Sequence, residues 1–228
     1  MKPLPLHRWD VTPAEARHIQ EELRRRVTAE QPRTISPEHI RRVAGADVAL
    51  DTSRGRAIAG VIVYSFPALE ELERAWAALP LQFPYVPGLL SFREAPALLA
   101  AVERLRVPFD LLFCDAHGYA HPRRFGLACH LGVLLGRPTV GVAKSRLIGT
   151  HAEPGPEPGA WTPLLDAGEP IGAVLRTRAG ARPVYVSTGY RIGLPSAIQL
   201  TLAVCDGYRI PRPTREADHY VEAIKRSS

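Results

Sequence analysis

The sequence lacks long apolar runs and a secretion signal. No apolar stretch among its 228 residues approaches the ~20 residues that cross a bilayer. The first ten residues, MKPLPLHRWD, have no apolar core of the kind found in signal peptides. We therefore expect no membrane partner and a cytoplasmic location. The length is short for two cores, and 46% hydrophobic residues are enough for one, so we expect a single domain over residues 1–228.

Cysteine is also scarce. The three cysteines, Cys114, Cys129 and Cys205, each lie within an apolar run, and their spacing is not that of metal ligands. This pattern excludes a disulfide framework and a cysteine zinc site. It predicts buried thiols in a reducing compartment.

Asparagine is absent and lysine is rare. Lys2 and Lys225 lie near the termini, and Lys144 alone lies in the middle of the chain. Arginine supplies the remaining cations, and the net charge of +6 favours a polyanionic partner such as nucleic acid. Lysine carries a compact point charge where arginine carries a planar fork, so the exception indicates a specific requirement at Lys144.

The stretch from Asp110 to Lys144 organises the chain. Leu111 to Cys114 has the length of a buried strand and is followed by Asp115. A loop of small residues and a helix through Leu135 come next, and a second apolar run, Thr139 to Ala143, ends at Lys144. Two strands joined by a helix form a βαβ unit, whose strand ends share the sheet edge where α/β proteins bind ligands. The side chains expected to converge there are Asp115, His117, His121 and Lys144.

The N-terminal half predicts a helix and an antiparallel sheet. Thr12 and Glu15 form a capping box for a helix that runs to about Val27. The runs Val43 to Leu50 and Ala57 to Tyr64 flank a turn and predict a hairpin. Leu69 to Leu79 has helical composition but follows a hairpin, and we interpret it as a third strand.

A proline-rich segment follows. Pro84, Pro87 and Gly88 predict a stiff turn with Tyr85 at its tip. Glu94 is placed where a helix begins, just before Pro96, with an amphipathic stretch over residues 97–105.

The C-terminal third predicts a loop over residues 151–170, then a hairpin from Ile171 to Arg176 and Pro183 to Ser187. A helix is expected from Ser196 to Cys205. A last helix is expected to open at Thr214, after Pro213.

Three acids lie at places that a sheet edge can bring together. Asp47 is within the first strand, Asp115 ends another strand, and Glu94 opens a helix. Hard cations such as Mg²⁺ take carboxylate oxygens and keep waters for substrate phosphates, and a site of this kind cleaves phosphodiesters. Scattered acids are common, so a buried polar network is the alternative interpretation.

Four strings in the chain resemble the Endonuclease V family. They are VAGADVA around Asp47, PYVPGLLSFREAP around Glu94, DAHGYAHPRRFGLACHLG from Asp115, and GVAKSRLIG around Lys144. The tail string PTREADHY is compatible with the family's C-terminal motif. The resemblance implies an RNase H-like α/β fold, with a mixed sheet of three antiparallel strands followed by parallel ones and flanked by helices. It also implies a DNA repair nuclease that uses Mg²⁺ or Mn²⁺ to nick at the second phosphodiester bond 3′ to deoxyinosine and other deaminated bases, leaving a 3′-OH and a 5′-phosphate.

The resemblance also implies residue roles. Asp47, Glu94 and Asp115 are the metal ligands, and His121 and Lys144 complete the catalytic set. Tyr85 is the wedge that separates the strands. The remaining nucleic-acid contacts are expected at Pro84, Pro87, Gly88, His117, Gly118, Arg123 and Arg124.

One departure from the family pattern is visible. The family's Asp-Gly-His-Gly is Asp115-Ala116-His117-Gly118 in this chain, which would strain Ala116 if the position required a positive φ.

Other functions remain open at this point. Another RNase H-like structure-specific nuclease would share the acids but not the Pro-Tyr-Val-Pro-Gly segment. An inosine-specific ribonuclease, acting on inosine-containing RNA, is a further alternative. A non-catalytic nucleic-acid-binding protein would gain nothing from acids facing phosphate. We expect a monomer.

Overall fold

The computed structural model describes residues 1–29 and 33–227. Its strands are β1 (Arg42–Asp51), β2 (Arg56–Ser65), β3 (Glu71–Pro80), β4 (Leu111–Cys114), β5 (Thr139–Ala143), β6 (Trp161–Asp166), β7 (Glu169–Leu175) and β8 (Val184–Tyr190). Its helices are α1 (Pro13–Ala29), α2 (Leu90–Glu103), α3 (Leu127–Leu135), α4 (Leu194–Ala203) and α5 (Arg212–Ser227), with a short 3₁₀ turn at Pro37–His39. Within the described ranges, no helix is both long and apolar enough to span a bilayer.

The strands form one mixed sheet in the order β3-β2-β1-β4-β5-β8-β7-β6. Neighbours β1, β4 and β5 are parallel, and the pairs on either side of them are antiparallel. The three antiparallel strands followed by parallel ones are therefore confirmed. The sheet then continues into a second antiparallel group.

The sheet buries both faces. Ala44, Ala46 and Leu112 contact α2 and α3 on one face, and Val43 and Phe113 share the other face with α4. This placement follows from the alternation of side chains along a strand.

Helix α5 lies unusually close to the second face. A Cβ at Gly45 of β1 would lie 2.1 Å from the backbone of Pro213, and one at Gly60 of β2 would lie 2.6 Å from Val221. Glycine at both positions lets the helix backbone approach the strands. The stretch of α5 between Pro213 and Val221 therefore crosses the sheet beside Asp47, which pairs with Gly60.

The N-terminal predictions are confirmed. Glu15 closes the capping box by accepting the Thr12 N–H at 2.7 Å. The ambiguous segment is a strand, Glu71–Pro80, because pairing with β2 buries Ala75 and Ala77 and outweighs its helical composition.

Several boundaries differ from the sequence prediction. Helix α5 begins at Arg212 and contains Pro213, which was expected to precede it, and α4 begins at Leu194 instead of Ser196. Helix α2 begins at Leu90 and contains Pro96 in its interior, whereas we expected it to begin at Glu94. Ser91 and Phe92 of its first turn are buried, so packing rather than proline sets the start of the helix. The expected loop over residues 151–170 contains strand β6, which pairs with β7 across a turn at Ala167 and Gly168.

Candidate active site

Three aspartates meet at one edge of the sheet. Asp47 follows the last β1 residue paired with β4, and Asp115 directly follows the end of β4. Asp218 comes from α5, where the approach at Gly45 and Gly60 brings the helix over β1. One carboxylate oxygen of each aspartate lies within 4.8 Å of the others, and all three residues are partly buried.

Lys144 joins this cluster from the next parallel strand. Its Nζ lies 2.5 Å from Asp115 Oδ2 and 3.1 Å from Asp218 Oδ2. Burial opposes its charge, but the hydrogen bond and the charge of Asp115 outweigh burial and raise the pKa of Lys144. The predicted convergence of Asp115 and Lys144 at the strand ends is therefore present.

The acids repel one another. Burial, and then the charge of Asp115, raises the pKa of Asp47 to about 7. Burial, and then the charge of Asp47, raises the pKa of Glu94 to about 8, which places this α2 residue within electrostatic reach of the cluster. Such a group of acids is costly without a counter-charge. A set of oxygen donors with unfavourable negative charge fits a hard divalent cation, and Lys144 supplies only part of the compensation.

Residues 84–88, which we call the Tyr85 loop, lie near the cluster, since this loop and Ala116, the residue after Asp115, line one cavity. Tyr85 is 72% exposed at the tip of the loop. At its base, the Gly88 carbonyl accepts bonds from Arg123 Nη2 at 2.6 Å, from Gln20 Nε2 at 3.1 Å and from His121 Nε2 at 3.1 Å. Gly88 has φ +77°, and an added Cβ would lie 2.7 Å from that arginine nitrogen. These three hydrogen bonds fix the position of the loop at Gly88.

His121 belongs to this anchor. Its Nδ1 accepts the Arg123 backbone N–H at 3.2 Å, so Nε2 carries the proton that it donates to Gly88. Burial lowers the pKa of His121 to about 4, so the ring is neutral at physiological pH. The resemblance implied that His121 supports the reacting phosphate. In the structure its Nε2 bonds to Gly88 of the Tyr85 loop and its Nδ1 to the Arg123 N–H of its own segment.

A cavity of about 190 Å³ lies between the loop and the segment after β4. Its walls include Tyr85, Pro87, Leu90, Ala116, His117 and Leu147. His117 Nδ1 is buried and has no hydrogen-bond partner among the described residues. Burial lowers the pKa of His117 to about 4. A neutral ring with one unpaired nitrogen suits a polar, uncharged ligand.

Ala116 is not strained. It is absent from the non-glycine residues with positive φ in the described chain, and its buried methyl group lines the cavity. The departure from Asp-Gly-His-Gly therefore changes the cavity wall and not the backbone conformation.

Three other expected contacts have structural partners. Arg123 Nε donates to Gln20 Oε1 at 2.5 Å in addition to its bond with Gly88. Arg124, at φ +55°, pairs with Asp166 at 2.8 Å and Glu169 at 2.9 Å. Gly118 is packed against β8, where a Cβ would lie 2.2 Å from the Thr188 carbonyl. Gly118 therefore allows close packing against β8. Arg123 joins helix α1 to Gly88, and Arg124 contacts the turn between β6 and β7.

Sequence reasoning missed Asp218 and Gln20 as site residues. The string PTREADHY contained Asp218, but only the register of α5 on β1 and β2 shows which of its residues meets Asp47. Gln20 lies in a charged helix whose sequence gives no sign of contact with a loop 68 residues away.

Comparisons with known proteins agree with this geometry. A family model for Endonuclease V matches residues 21–219. The Endonuclease V of Roseiflexus sp. (strain RS-1) is 52% identical over 210 residues, which cover 92% of each chain. The crystal structure of Endonuclease V from Streptomyces avermitilis superposes with a TM-score of 0.90 at 45% identity, covering 96% of each chain.

A third relative was solved with nucleic acid. Ciona intestinalis Endonuclease V, in complex with a 24mer DNA containing an inosine followed by a ribo-adenosine, has a TM-score of 0.81 at 26% identity. It covers 94% of this chain and 98% of its own. Together, the sheet order and these matches define a nuclease with an RNase H-like fold. Within that class, the chain belongs to the Endonuclease V family.

Proposed function

We propose that this endonuclease nicks DNA at the second phosphodiester bond 3′ to deoxyinosine and other deaminated bases. The observation that carries the proposal is the position of the three-aspartate cluster beside the cavity under the Tyr85 loop. A cluster alone suits many phosphodiesterases, but a neighbouring cavity adds a place for one extruded base. The inosine-containing DNA bound by the Ciona relative supports this choice of ligand.

In this proposal, Asp47, Asp115 and Asp218 hold Mg²⁺, for which Mn²⁺ substitutes, and Glu94 completes the acidic set. A cation held there would supply water activation and charge neutralisation for phosphodiester hydrolysis, whose products are a 3′-OH and a 5′-phosphate. Lys144 contributes a compact positive charge at the scissile phosphate.

In this proposal, the cavity recognises the base through polar groups of the protein that have no hydrogen-bond partner of their own. Its volume is about six times that of one water in the liquid, enough for a ring system rather than ordered solvent alone. Enzymes that read an extruded base do so by hydrogen bonds to its edge and by stacking. His117 lines the cavity, and its buried Nδ1 has no hydrogen-bond partner among the described residues.

We further propose that the enzyme acts as a monomer in the cytoplasm. Its three free cysteines are buried, as suits a reducing compartment.

A nicking assay tests the function directly. Labelled duplexes and single strands, each with one inosine or with the matched undamaged base, would be incubated with Mg²⁺ or with EDTA and sized against a ladder. We expect a single product, ending at the second bond 3′ to inosine, in the Mg²⁺ lanes only. Equal cleavage of the undamaged strand would indicate a general nuclease, and faster cleavage of inosine-containing RNA would indicate a ribonuclease.

Replacing Tyr85 with alanine is expected to slow nicking of inosine duplex by about tenfold or more, because a stacked aromatic ring is worth about 1–3 kcal/mol per base. The loss should be smaller on single strands, where less stacking has to be broken. Tyr208→Ala, which removes another exposed ring, is the matched control. An equal loss on both substrates would contradict a strand-separating role.

A further inference from the structure

A second and larger cavity opens beside the aspartate cluster. It has a volume of about 630 Å³ and lies between residues 144–146, which follow β5, and the connection from β7 to β8. It is strongly basic, since its walls carry Lys144, Arg146, Arg176, Arg182 and Arg209 but, among the described residues, a single acid, Glu153. We call this cavity the basic groove.

Two of these cations are already neutralised. Lys144 pairs with Asp115 and Asp218, as described above. Arg176 pairs with Glu153 at 2.6 Å and donates further bonds to backbone carbonyls. These side chains therefore maintain the groove but do not supply its unbalanced charge.

Arg146 and Arg182 supply that charge. Both are exposed, they line the groove from different segments, and neither has a carboxylate partner within the described chain. A guanidinium in this state binds a phosphate through two parallel hydrogen bonds.

Arg209 holds the two walls together. Its guanidinium donates to the Lys144 carbonyl at 2.8 Å, to the Arg182 carbonyl at 2.9 Å and to the Pro183 carbonyl at 3.1 Å. Lys144, whose carbonyl accepts the first of these bonds, also pairs with Asp115 through its Nζ, so the groove reaches the aspartate cluster. Arg209 is thus a positioning residue that fixes the distance between the groove and the cluster.

The order of the three features gives a direction. Lys144 of the aspartate cluster also lines the basic groove, whereas the groove and the cavity under the Tyr85 loop share no lining residue among those described. A strand whose extruded base occupies the first cavity, and whose scissile phosphate lies at Lys144, has passed the lesion before it reaches the groove. The nucleotides that enter the groove are then those 3′ to the scissile bond.

We propose that the basic groove binds the backbone phosphates of the nicked strand on the 3′ side of the scissile bond, with Arg146 and Arg182 as the contacts. This inference rests on the proposed function, because the direction is set by cleavage 3′ to the lesion. The ligand is a phosphodiester backbone and not a particular base, since guanidinium contacts to phosphate carry no sequence information.

The test uses the full chain and a double variant, Arg146→Ala with Arg182→Ala. The matched control is Arg178→Ala, an exposed arginine in the same connection that does not line the groove. One set of inosine oligonucleotides has a constant 5′ flank and a 3′ flank of either two or about ten nucleotides past the scissile bond. The mirror set shortens the 5′ flank instead. Nicking gives KM and kcat, and fluorescence anisotropy in EDTA gives Kd across a salt series.

With the long 3′ flank, we expect the double variant to raise KM and Kd on the order of tenfold at low salt, with kcat unchanged. The slope of log Kd against log salt should fall by about 0.7–0.9 for each phosphate that the variant no longer neutralises. With the short 3′ flank, the variant and the wild type should agree, and Arg178→Ala should match wild type throughout.

Four outcomes would contradict the proposal that the basic groove binds phosphates on the 3′ side of the scissile bond. They are an unchanged double variant, a loss that does not depend on flank length, a loss that follows the 5′ flank, and an equal loss in Arg178→Ala. The proposed function fails separately, if wild type nicks no inosine substrate at all. The anisotropy measurement needs no nicking, so a reduced salt slope in that case would still support the groove as a phosphodiester-binding site.

Discussion

Replacing Asp47 with asparagine is expected to abolish Mg²⁺-dependent nicking while making the metal-free protein more stable at pH 8. The rate should fall by roughly a thousandfold, the upper end of the range for losing one group that stabilises charge in a transition state. The variant keeps the shape of the side chain and removes one of three clustered negative charges.

The pH dependence has a definite sign. The pKa of Asp47 is about 7 in the folded protein, against about 3.9 in an unfolded chain. Between these values the folded protein retains a proton that the unfolded chain has lost, so stability falls as pH rises through this window. The asparagine variant does not have this loss, and its metal-free Tm should exceed that of wild type at pH 8 and match it near pH 4.

The nicking assay measures the loss of activity, and thermal unfolding in EDTA and in Mg²⁺ measures the change in Tm. A difference of 1 kcal/mol corresponds to about 2–4 °C in a domain of this size. Asp10→Asn, which removes an exposed acid outside the cluster, is the control for net charge. Nicking at the wild-type rate by Asp47→Asn would show that Asp47 is not part of the active site. A lower Tm at pH 8 would show that its carboxylate is stabilising and not repelled.

Replacing Lys144 with alanine is expected to lower the single-turnover nicking rate by roughly a hundredfold. The ammonium is held 2.5 Å from Asp115 and 3.1 Å from Asp218, where a compact charge fits between two carboxylates. The planar fork of arginine has a different shape, so Lys144→Arg should restore only part of the rate.

The Lys144 variants are compared at saturating enzyme, so that the rate reports the chemical step and not binding. Lys225→Ala is the matched control, because Lys225 also has a carboxylate partner, Glu222, but lies in the last turn of α5. Full activity in Lys144→Arg would mean that the single internal lysine is incidental. Full activity in Lys144→Ala would remove the charge from the proposed reaction.

The sequence predicted most of the fold because its signals were local. Strand β4, helix α3 and strand β5 are marked by apolar runs and small-residue loops, and the turn between β1 and β2 by five consecutive turn-forming residues. Strand β6 was missed because prolines and glycines dominate residues 151–170. Its strand state depends on pairing with β7, which is a long-range effect that local composition does not carry.

The convergence of site residues could be inferred most directly where they end neighbouring parallel strands. Asp115 and Lys144 follow β4 and β5 directly, so the parallel pairing that brings them together could be inferred. His121 looked like a catalytic imidazole by residue type. Its Nδ1 accepts a local bond from the Arg123 amide, and its Nε2 bonds to the Gly88 carbonyl through a contact between two loops that no spacing rule describes.

The close packing of α5 on β1 and β2 has a consequence for synthesis of the protein on the ribosome. Chains emerge from the N-terminus and fold as they are made. Asp47 and Asp115 are present once β4 has been translated, but Asp218 reaches them only after α5 has docked at Gly45 and Gly60. The third carboxylate therefore joins the others last. A partly made chain has two of the three aspartates, so under the proposed function hydrolysis begins only after α5 has docked.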